Sequence, residues 1–308
     1  RLASDFPLCI CATLAPKLNG KEVIDMNELA RKPKRWPKIV SRTFLILVTI
    51  LLVFPFFWMV LLSFKSDTQI LNNPFSLVLD AGFSNYVRAM QVLDLKILFG
   101  NTIFLAATTQ AVGLIITFMS SYCLSRMVFR HQRIRDGLYL FFLLGLTIPS
   151  YILLFPIYRM VVAMHLQNTY LSLILPLIAT SIAFNTLLFV GFLRDFPSEV
   201  EEAAIIDGCG LFSLCARIVI PVIKPVFATL LVFNVVYVWN EYPLSVTLIS
   251  DINKMTVSLG ASMFRGTYSM DYSGMIAAAV LIILPQLVFY AFFQRFIIEG
   301  MTAGAVKG

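Results

Sequence analysis

Six apolar runs, each long enough to cross a membrane, constrain this chain more than any other feature. About 20 helical residues span the roughly 30 Å of hydrocarbon in a bilayer. Hydrophobic residues make up 59% of the chain and charged residues only 13%, well below the roughly 25% usual in soluble domains. We therefore predict an all-α polytopic membrane protein with six transmembrane helices. The predicted spans are residues 43–62, 99–124, 137–162, a fourth that ends near 193, 222–249 and 274–297.

Basic residues flank the spans asymmetrically. They are dense between residues 31 and 42, ahead of the first span, and between 126 and 135, after the second. Since lysine and arginine are enriched in cytoplasmic loops, this pattern places the N-terminus in the cytoplasm, and six spans return the C-terminus there. The net charge of +7 is explained by this topology, and no nucleic-acid partner is indicated.

The basic clusters divide the chain into three parts. We predict a cytoplasmic N-terminal segment at 1–42, a six-span transmembrane domain at 43–298 and a cytoplasmic C-terminal tail at 299–308. Within the first part, residues 1–30 fit either an extension upstream of a start at Met26 or an amphipathic cytoplasmic segment.

A charged stretch at residues 195–221 interrupts the apolar second half of the chain. Ser198 stands three residues before Glu201, a spacing that predicts a capping box at the start of a helix. Gly208 and Gly210 predict the end of that helix, and a second helical run continues to the end of the stretch. These features alone fit an ordinary solvated loop as well as a docking element for another protein.

The order of residues in this stretch resembles the coupling-loop signature of prokaryotic ABC importer permeases. In that signature, Glu-Ala-Ala is followed by three residues, Gly, nine residues, Ile, one residue and Leu-Pro. The chain matches it with Glu202-Ala203-Ala204, Gly208, Ile218 and Pro221, and has Ile220 in place of the leucine. The resemblance implies a type I ABC importer permease fold, in which this loop seats in a cleft of an ATPase. The coupling residues that it implies are Glu201, Glu202, Ala203, Ala204, Asp207 and Gly208.

Residues 233–242, 167–170 and 300–308 resemble the smaller membrane subunit of maltose-type oligosaccharide importers. The resemblance implies import of a sugar or oligosaccharide across the bacterial inner membrane. It also implies three kinds of protein partner: a homologous second permease subunit, two ATP-binding subunits and an extracytoplasmic sugar-binding protein. This chain would bind no cofactor, because ATP and Mg are used by the ATP-binding subunits.

Two more contacts follow from the same resemblance. In relatives, the loop before the last span reaches into the binding protein, which would here involve Gly260, Gly266 and Tyr268 as a flexible tip. The terminal tail approaches the ATPase dimer interface in relatives, which would involve residues 304–308.

Polar residues in the fifth predicted span are candidates for the solute pathway. Asn234, Tyr237 and Glu241 share one helical face, and Asn240 lies close to it. Amide and aromatic side chains suit sugars, because amides pair with hydroxyl groups and aromatic rings pack on C–H faces. Tyr151, close to a proline in the third predicted span, is a further candidate. The alternative is that such side chains join helices to each other by hydrogen bonds.

Other functions find less support in the sequence. The chain lacks the GxxxxGK[ST] loop that cradles phosphates, so ATP hydrolysis is assigned to a partner. HExxH is absent, and the two histidines lie in loops predicted on opposite sides of the membrane, which argues against a metalloprotease. A proton-coupled transporter would need ionisable groups within its spans, where Glu241 is the one candidate. The remaining alternative is an ABC permease for a non-sugar or charged solute such as glycerol phosphate. Arg159 and Arg265 fit either an anionic saccharide or a water interface.

Overall fold

The structure is a computed structural model that describes residues 35–77, 79–266 and 270–303, with side chains described between residues 39 and 296 of those ranges. Contacts divide the chain into two units, Arg1–Pro55 and Phe56–Gly308. Throughout the described residues every regular element is a helix, apart from an isolated bridge between Arg265 and Met270.

The described α-helices are numbered in chain order. They are α1 (Arg35–Leu62), α2 (Asp67–Asn72), α3 (Ser84–Val92), α4 (Leu95–Arg126), α5 (Gln132–Leu144), α6 (Leu154–Ala163), α7 (Leu171–Asp195), α8 (Ser198–Ile206), α9 (Leu211–Leu214), α10 (Ile220–Val222), α11 (Lys224–Trp239), α12 (Pro243–Leu248), α13 (Val257–Gly260) and α14 (Tyr272–Ala303). Short 3-10 turns lie at Gly145–Thr147, Ser150–Leu153, Ile252–Lys254 and Ala261–Phe264. A π-helical segment at Cys215–Val219 joins α9 to α10.

Within the described residues, four single helices are long and apolar enough to cross a membrane. They are Ile39–Leu62, Leu95–Arg126, Leu171–Asp195 and Tyr272–Phe296. Two further spans are bent helix pairs: Gln132–Thr147 meets Ser150–Ala163 at 93°, and Leu211–Val222 meets Lys224–Trp239 at 76°. Counting each pair as one span gives six, so the predicted all-α polytopic architecture is confirmed.

The third span is broken, whereas the sequence analysis predicts one continuous helix over 137–162. The break falls at Ile148 and Pro149, which both adopt extended backbone. A proline disfavours helical geometry in the residue before it, so the helix ends there. Pro156 causes no second break, because it is the third residue of α6 and the N–H groups of a first helical turn have no acceptor within the helix.

The fifth span is shorter than the predicted 222–249. α11 ends at Trp239, residues 240–242 form a turn, and the separate helix α12 follows. Pro243 begins α12, where its fixed φ suits a first helical position. Glu241 therefore does not share a helical face with Asn234, and that part of the sequence analysis is wrong.

α4, α7 and α11 pack together at the centre of the second unit. The C-terminal halves of α4 and α7 and the N-terminal half of α11 form one buried apolar cluster, which includes Ala204 of α8 and Leu214 of α9. The other halves of the three helices form a second cluster with α6 and α12. α11 thus runs antiparallel to α4 and α7, and α8 is attached to one end of this three-helix core.

Candidate functional site

The helix α8 begins without the predicted capping box. Pro197 occupies the N-cap position, where no side-chain hydrogen bond is formed, and Ser198 is already the first helical residue. The Glu201 carboxylate lies instead beside Arg126 of α4. Arg126 carries a full positive charge, which attracts the Glu201 carboxylate more strongly than the partial charge of a backbone N–H does; this accounts for the different use of Glu201.

The predicted end of α8 at Gly208 is confirmed. Gly208 has a φ of +80°, a left-handed conformation in which glycine carries no steric cost. The Cys209 amide donates to the Ala204 carbonyl at 2.9 Å and closes the turn. This bend separates α8 from α9, and each of the two short helices places one residue, Ala204 and Leu214, in the buried cluster.

The two faces of α8 differ in exposure. Glu201 and Ala204 are buried and face the core, whereas Glu202, Ala203, Asp207 and Gly208 are exposed. The exposed side also carries large apolar side chains: Ile206 is 85% exposed, and Phe212 of α9 is 88% exposed. We call the exposed residues Glu202, Ala203, Ile205, Ile206 and Phe212 the α8–α9 surface. Exposed apolar groups with a charged neighbour are typical of a protein-binding surface.

The inner face of α8 contacts α4 through a buried ion pair. Arg126 Nε lies 3.1 Å from Glu201 Oε2, and the two side chains are 16% and 8% exposed. Burial raises the pKa of the Glu201 carboxyl, and the charge of Arg126 opposes that rise. Sequence reasoning missed this pair because it treats Arg126 only as a basic flank of the second span. The two residues are far apart in the chain, and no local spacing connects them.

The second candidate site is a cavity of about 410 Å³ between α6, α7, α11 and α12. It brings together four of the five predicted pathway residues, Tyr151, Tyr237, Asn240 and Glu241. Tyr237 lies beside the hydroxyl groups of Ser150 and Thr180. The wall therefore offers hydroxyl, amide and aromatic groups from separate segments of the chain.

Asn234 lies outside this cavity. It is buried, and its Nδ2 donates to Asn185 Oδ1 at 3.0 Å. This hydrogen bond joins α11 to α7, which is the alternative use that the sequence analysis gives for polar residues in the spans.

Glu241 contributes to the fold as well as to the cavity. Its Oε1 accepts a hydrogen bond from the Leu244 amide at 2.8 Å and caps α12. Its carbonyl accepts from the hydroxyls of Ser245 and Ser258, at 2.8 and 2.7 Å. Glu241 thus fixes the turn that ends the fifth span and places Asn240 at the cavity wall.

In the loop before the last span, Gly260 is packed against neighbouring helices. This residue ends α13 and is buried; a Cβ added to it would lie 2.7 Å from Ile282 Cδ1. Gly260 therefore does not lie at an exposed tip of the loop, because glycine here permits close packing. Gly266 is exposed. Tyr268, the tail residues 304–308 and residues 1–34 lie outside the described part of the chain.

Comparisons with known proteins identify relatives over most of the chain. The model of the family described as binding-protein-dependent transport system inner membrane component matches residues 121–302. The diacetylchitobiose uptake system permease protein NgcG of Streptomyces coelicolor is 30% identical over 270 residues, which cover 87% of this chain and 88% of that protein. The trehalose/maltose transport system permease protein MalG of Thermococcus litoralis is 29% identical over 269 residues, covering 85% of this chain and 94% of MalG.

The fold also matches a solved structure. A chain from the crystal structure of a bacterial ABC transporter involved in the import of the acidic polysaccharide alginate aligns with a TM-score of 0.71 and 19% identity, covering 85% of this chain and 96% of that chain. This likeness confirms the predicted ABC importer permease fold. On the family match and the identity to NgcG, the chain belongs to the family of inner membrane components of binding-protein-dependent transport systems.

Proposed function

We propose that this chain is a permease subunit of an ABC importer that moves a sugar or oligosaccharide into the cytoplasm. The observation that carries the proposal is the cavity lined by Tyr151, Tyr237 and Asn240, in a chain that belongs to this transport family. The names of NgcG and MalG assign saccharides to those relatives, and hydroxyl, amide and aromatic groups are the chemistry that binds saccharides.

The α8–α9 surface is the proposed docking site for an ATP-binding subunit on the cytoplasmic side. The proposed topology also assigns both chain termini to the cytoplasm. Two ATP-binding subunits supply ATP hydrolysis with Mg, a homologous permease subunit completes the pathway, and an extracytoplasmic binding protein delivers the sugar. This surface combines a carboxylate, Glu202, with exposed apolar side chains such as Ile206. Such a combination suits a short helix that binds another protein.

The proposed mechanism follows from how α8 is attached. Ala204 is part of the same buried cluster as α4, α7 and α11, so a displacement of α8 acts on three spans together. α7 and α11 also form walls of the cavity. Movement of the docked subunit would therefore change the access and shape of the cavity without covalent chemistry in this chain.

The cavity favours a neutral sugar over a charged solute such as glycerol phosphate. The charged residue of its described lining is Glu241, whose carboxylate would repel an anion. Arg159 and Arg265 are exposed and lie outside that lining. The two arginines are therefore better explained by a water interface than by recognition of an anionic saccharide.

The direct test is transport by the whole complex in proteoliposomes. The complex contains this chain, its partner permease and the ATP-binding subunits, with loaded binding protein outside and ATP inside. We expect uptake of a neutral oligosaccharide that requires both ATP and the binding protein. Uptake that continues when ATP alone or the binding protein alone is left out would contradict the proposal.

Tyr237→Ala is expected to lower sugar uptake about tenfold and to leave ATP hydrolysis without binding protein within twofold of wild type. The reason is that the ring is lost from the cavity wall, whereas the α8–α9 surface is unchanged. Tyr242→Ala is the matched control, since both tyrosines are 42% exposed but Tyr242 is not part of the cavity lining. Equal loss of uptake and hydrolysis in Tyr237→Ala would indicate a packing role instead.

A further inference from the structure

The ion pair between Arg126 and Glu201 differs from the other ion pairs described in the chain. Its two side chains are 16% and 8% exposed. The Arg88–Asp271, Arg135–Asp136 and Lys254–Asp251 pairs are each at least 29% exposed on both sides. Exposed pairs of that kind contribute little to stability, whereas a buried pair holds its two partners in one geometry. The Arg126–Glu201 pair joins the last turn of α4 to α8, two elements far apart in sequence.

The same guanidinium also holds the end of α7. Arg126 Nη2 donates to the Phe196 carbonyl at 2.5 Å, and the guanidinium carbon lies 5.7 Å from the centre of the Phe196 ring. Phe196 is the C-cap of α7 and leads through Pro197 into α8. One side chain of α4 thus contacts the residue that ends α7 and a residue in the first half of α8.

Stability alone does not explain a buried ion pair at this position. Removing two charges from water costs several kcal/mol per ion, and apolar residues of similar volume are often as stable. The surroundings of the pair include Tyr122 of α4 and Cys215 of the π-helical segment, so it lies where α4, α8 and the chain after α9 meet. A fixed geometry between these elements is what the pair provides.

We propose that Arg126 and Glu201 are positioning residues that make α8 and the α4–α7 junction move as one body. A displacement imposed on the exposed face of α8 is then transmitted to the spans instead of being absorbed by bending at Phe196-Pro197. Glu202, the next residue, has the other role: it lies on the exposed face, where the partner docks. This inference rests on the proposed function and assigns how docking becomes movement of the pathway.

The test is the number of ATP molecules hydrolysed per sugar imported by the whole complex in proteoliposomes. Glu201→Gln and Arg126→Gln each leave the other charged residue without its counter-charge, and we expect this ratio to rise at least fivefold. The exchanged variant Arg126→Glu/Glu201→Arg restores the ion pair with opposite polarity but loses the donation from position 126 to the Phe196 carbonyl, so we expect it to lower the ratio to half or less of the single-variant value. Arg130→Gln removes an exposed charge beyond the end of α4 and serves as the control that keeps the wild-type ratio.

A variant that loses both charges keeps the test decisive if the single variants fail to assemble. Arg126→Met/Glu201→Leu leaves no unpaired charge and is expected to fold. We expect this complex to assemble and to keep a melting temperature close to wild type, but to hydrolyse at least five times as many ATP molecules per imported sugar. Assembly with a wild-type ratio would overturn the inference, because packing alone would then transmit the movement.

Two further outcomes separate this inference from the function on which it rests. The role of the ion pair is overturned, and the proposed function left intact, if the single variants keep the wild-type ratio of ATP hydrolysed to sugar imported. The same holds if the exchanged variant assembles but its ratio stays as high as in the single variants. A wild-type complex that imports no sugar under ATP overturns the proposed function, and the inference with it.

Discussion

Glu202→Lys is expected to abolish the stimulation of ATP hydrolysis by loaded binding protein and to lower sugar uptake at least tenfold. Glu202 is exposed on the α8–α9 surface, so its replacement leaves the core intact and the cost to folding stays within about 0.5 kcal/mol. We infer that the ATP-binding subunit presents a basic group to Glu202, so the lysine would bring like charges into contact at the docked interface, which costs several kcal/mol. The measurement is ATPase activity of the assembled complex in proteoliposomes, with and without binding protein.

Asp136→Lys is the control for this prediction. Asp136 lies on α5, and its side chain is 61% exposed, so this variant makes the same change in net charge outside the α8–α9 surface. It is expected to keep the wild-type stimulation. If Glu202→Lys assembles fully and is still stimulated like wild type, α8 is not the docking element.

Gly260→Val is expected to lower the stability of the protein by about 1–3 kcal/mol, the usual cost of overpacking a well-packed core. The added Cβ would lie 2.7 Å from Ile282 Cδ1 on α14 and 3.4 Å from Leu98 Cδ1 on α4, and the two further methyl groups of valine enlarge the clash. We expect a lower melting temperature in detergent and a smaller yield of assembled complex.

Two further variants test whether close packing at Gly260 causes this loss of stability. Gly100→Val is the control, because a Cβ at Gly100 meets nothing within 4 Å. Ile282→Val removes the Cδ1 atom that is approached most closely, so Gly260→Ala/Ile282→Val is expected to be more stable than Gly260→Ala. An unchanged melting temperature in Gly260→Val would show that α13 does not pack as closely as described.

Local patterns in the sequence predict the spans and the bend after α8. Six spans follow from the length of the apolar runs, and the end of α8 at Gly208 follows from the need for a left-handed residue. Four pathway candidates, Tyr151, Tyr237, Asn240 and Glu241, meet at one cavity. Apolar length and polar residues within spans are local signals, so they can be read without knowing which helices are neighbours.

Features that depend on which helices are neighbours could not be predicted. Pro149 marks where the third span breaks, but neither it nor hydropathy gives the 93° angle between the two apolar arms. Asn234 has the same pattern as a pathway residue, and only the position of Asn185 on α7 shows that the two side chains bond to each other. The spacing of Ser198 and Glu201 predicts a capping box, but Glu201 contacts Arg126 instead, and local spacing does not identify that partner.

The central claim is that movement enters this chain through α8 on the cytoplasmic side, and one labelling measurement tests it directly. In a variant with its native cysteines replaced by serine, Ile206→Cys places a single thiol at a position that is 85% exposed in the single chain. With a membrane-impermeant maleimide, the account predicts no labelling in intact spheroplasts, labelling in inside-out vesicles, and protection when the ATP-binding subunits are assembled. Labelling of this introduced thiol in intact spheroplasts would contradict the account, because α8 would then face the outside of the cell.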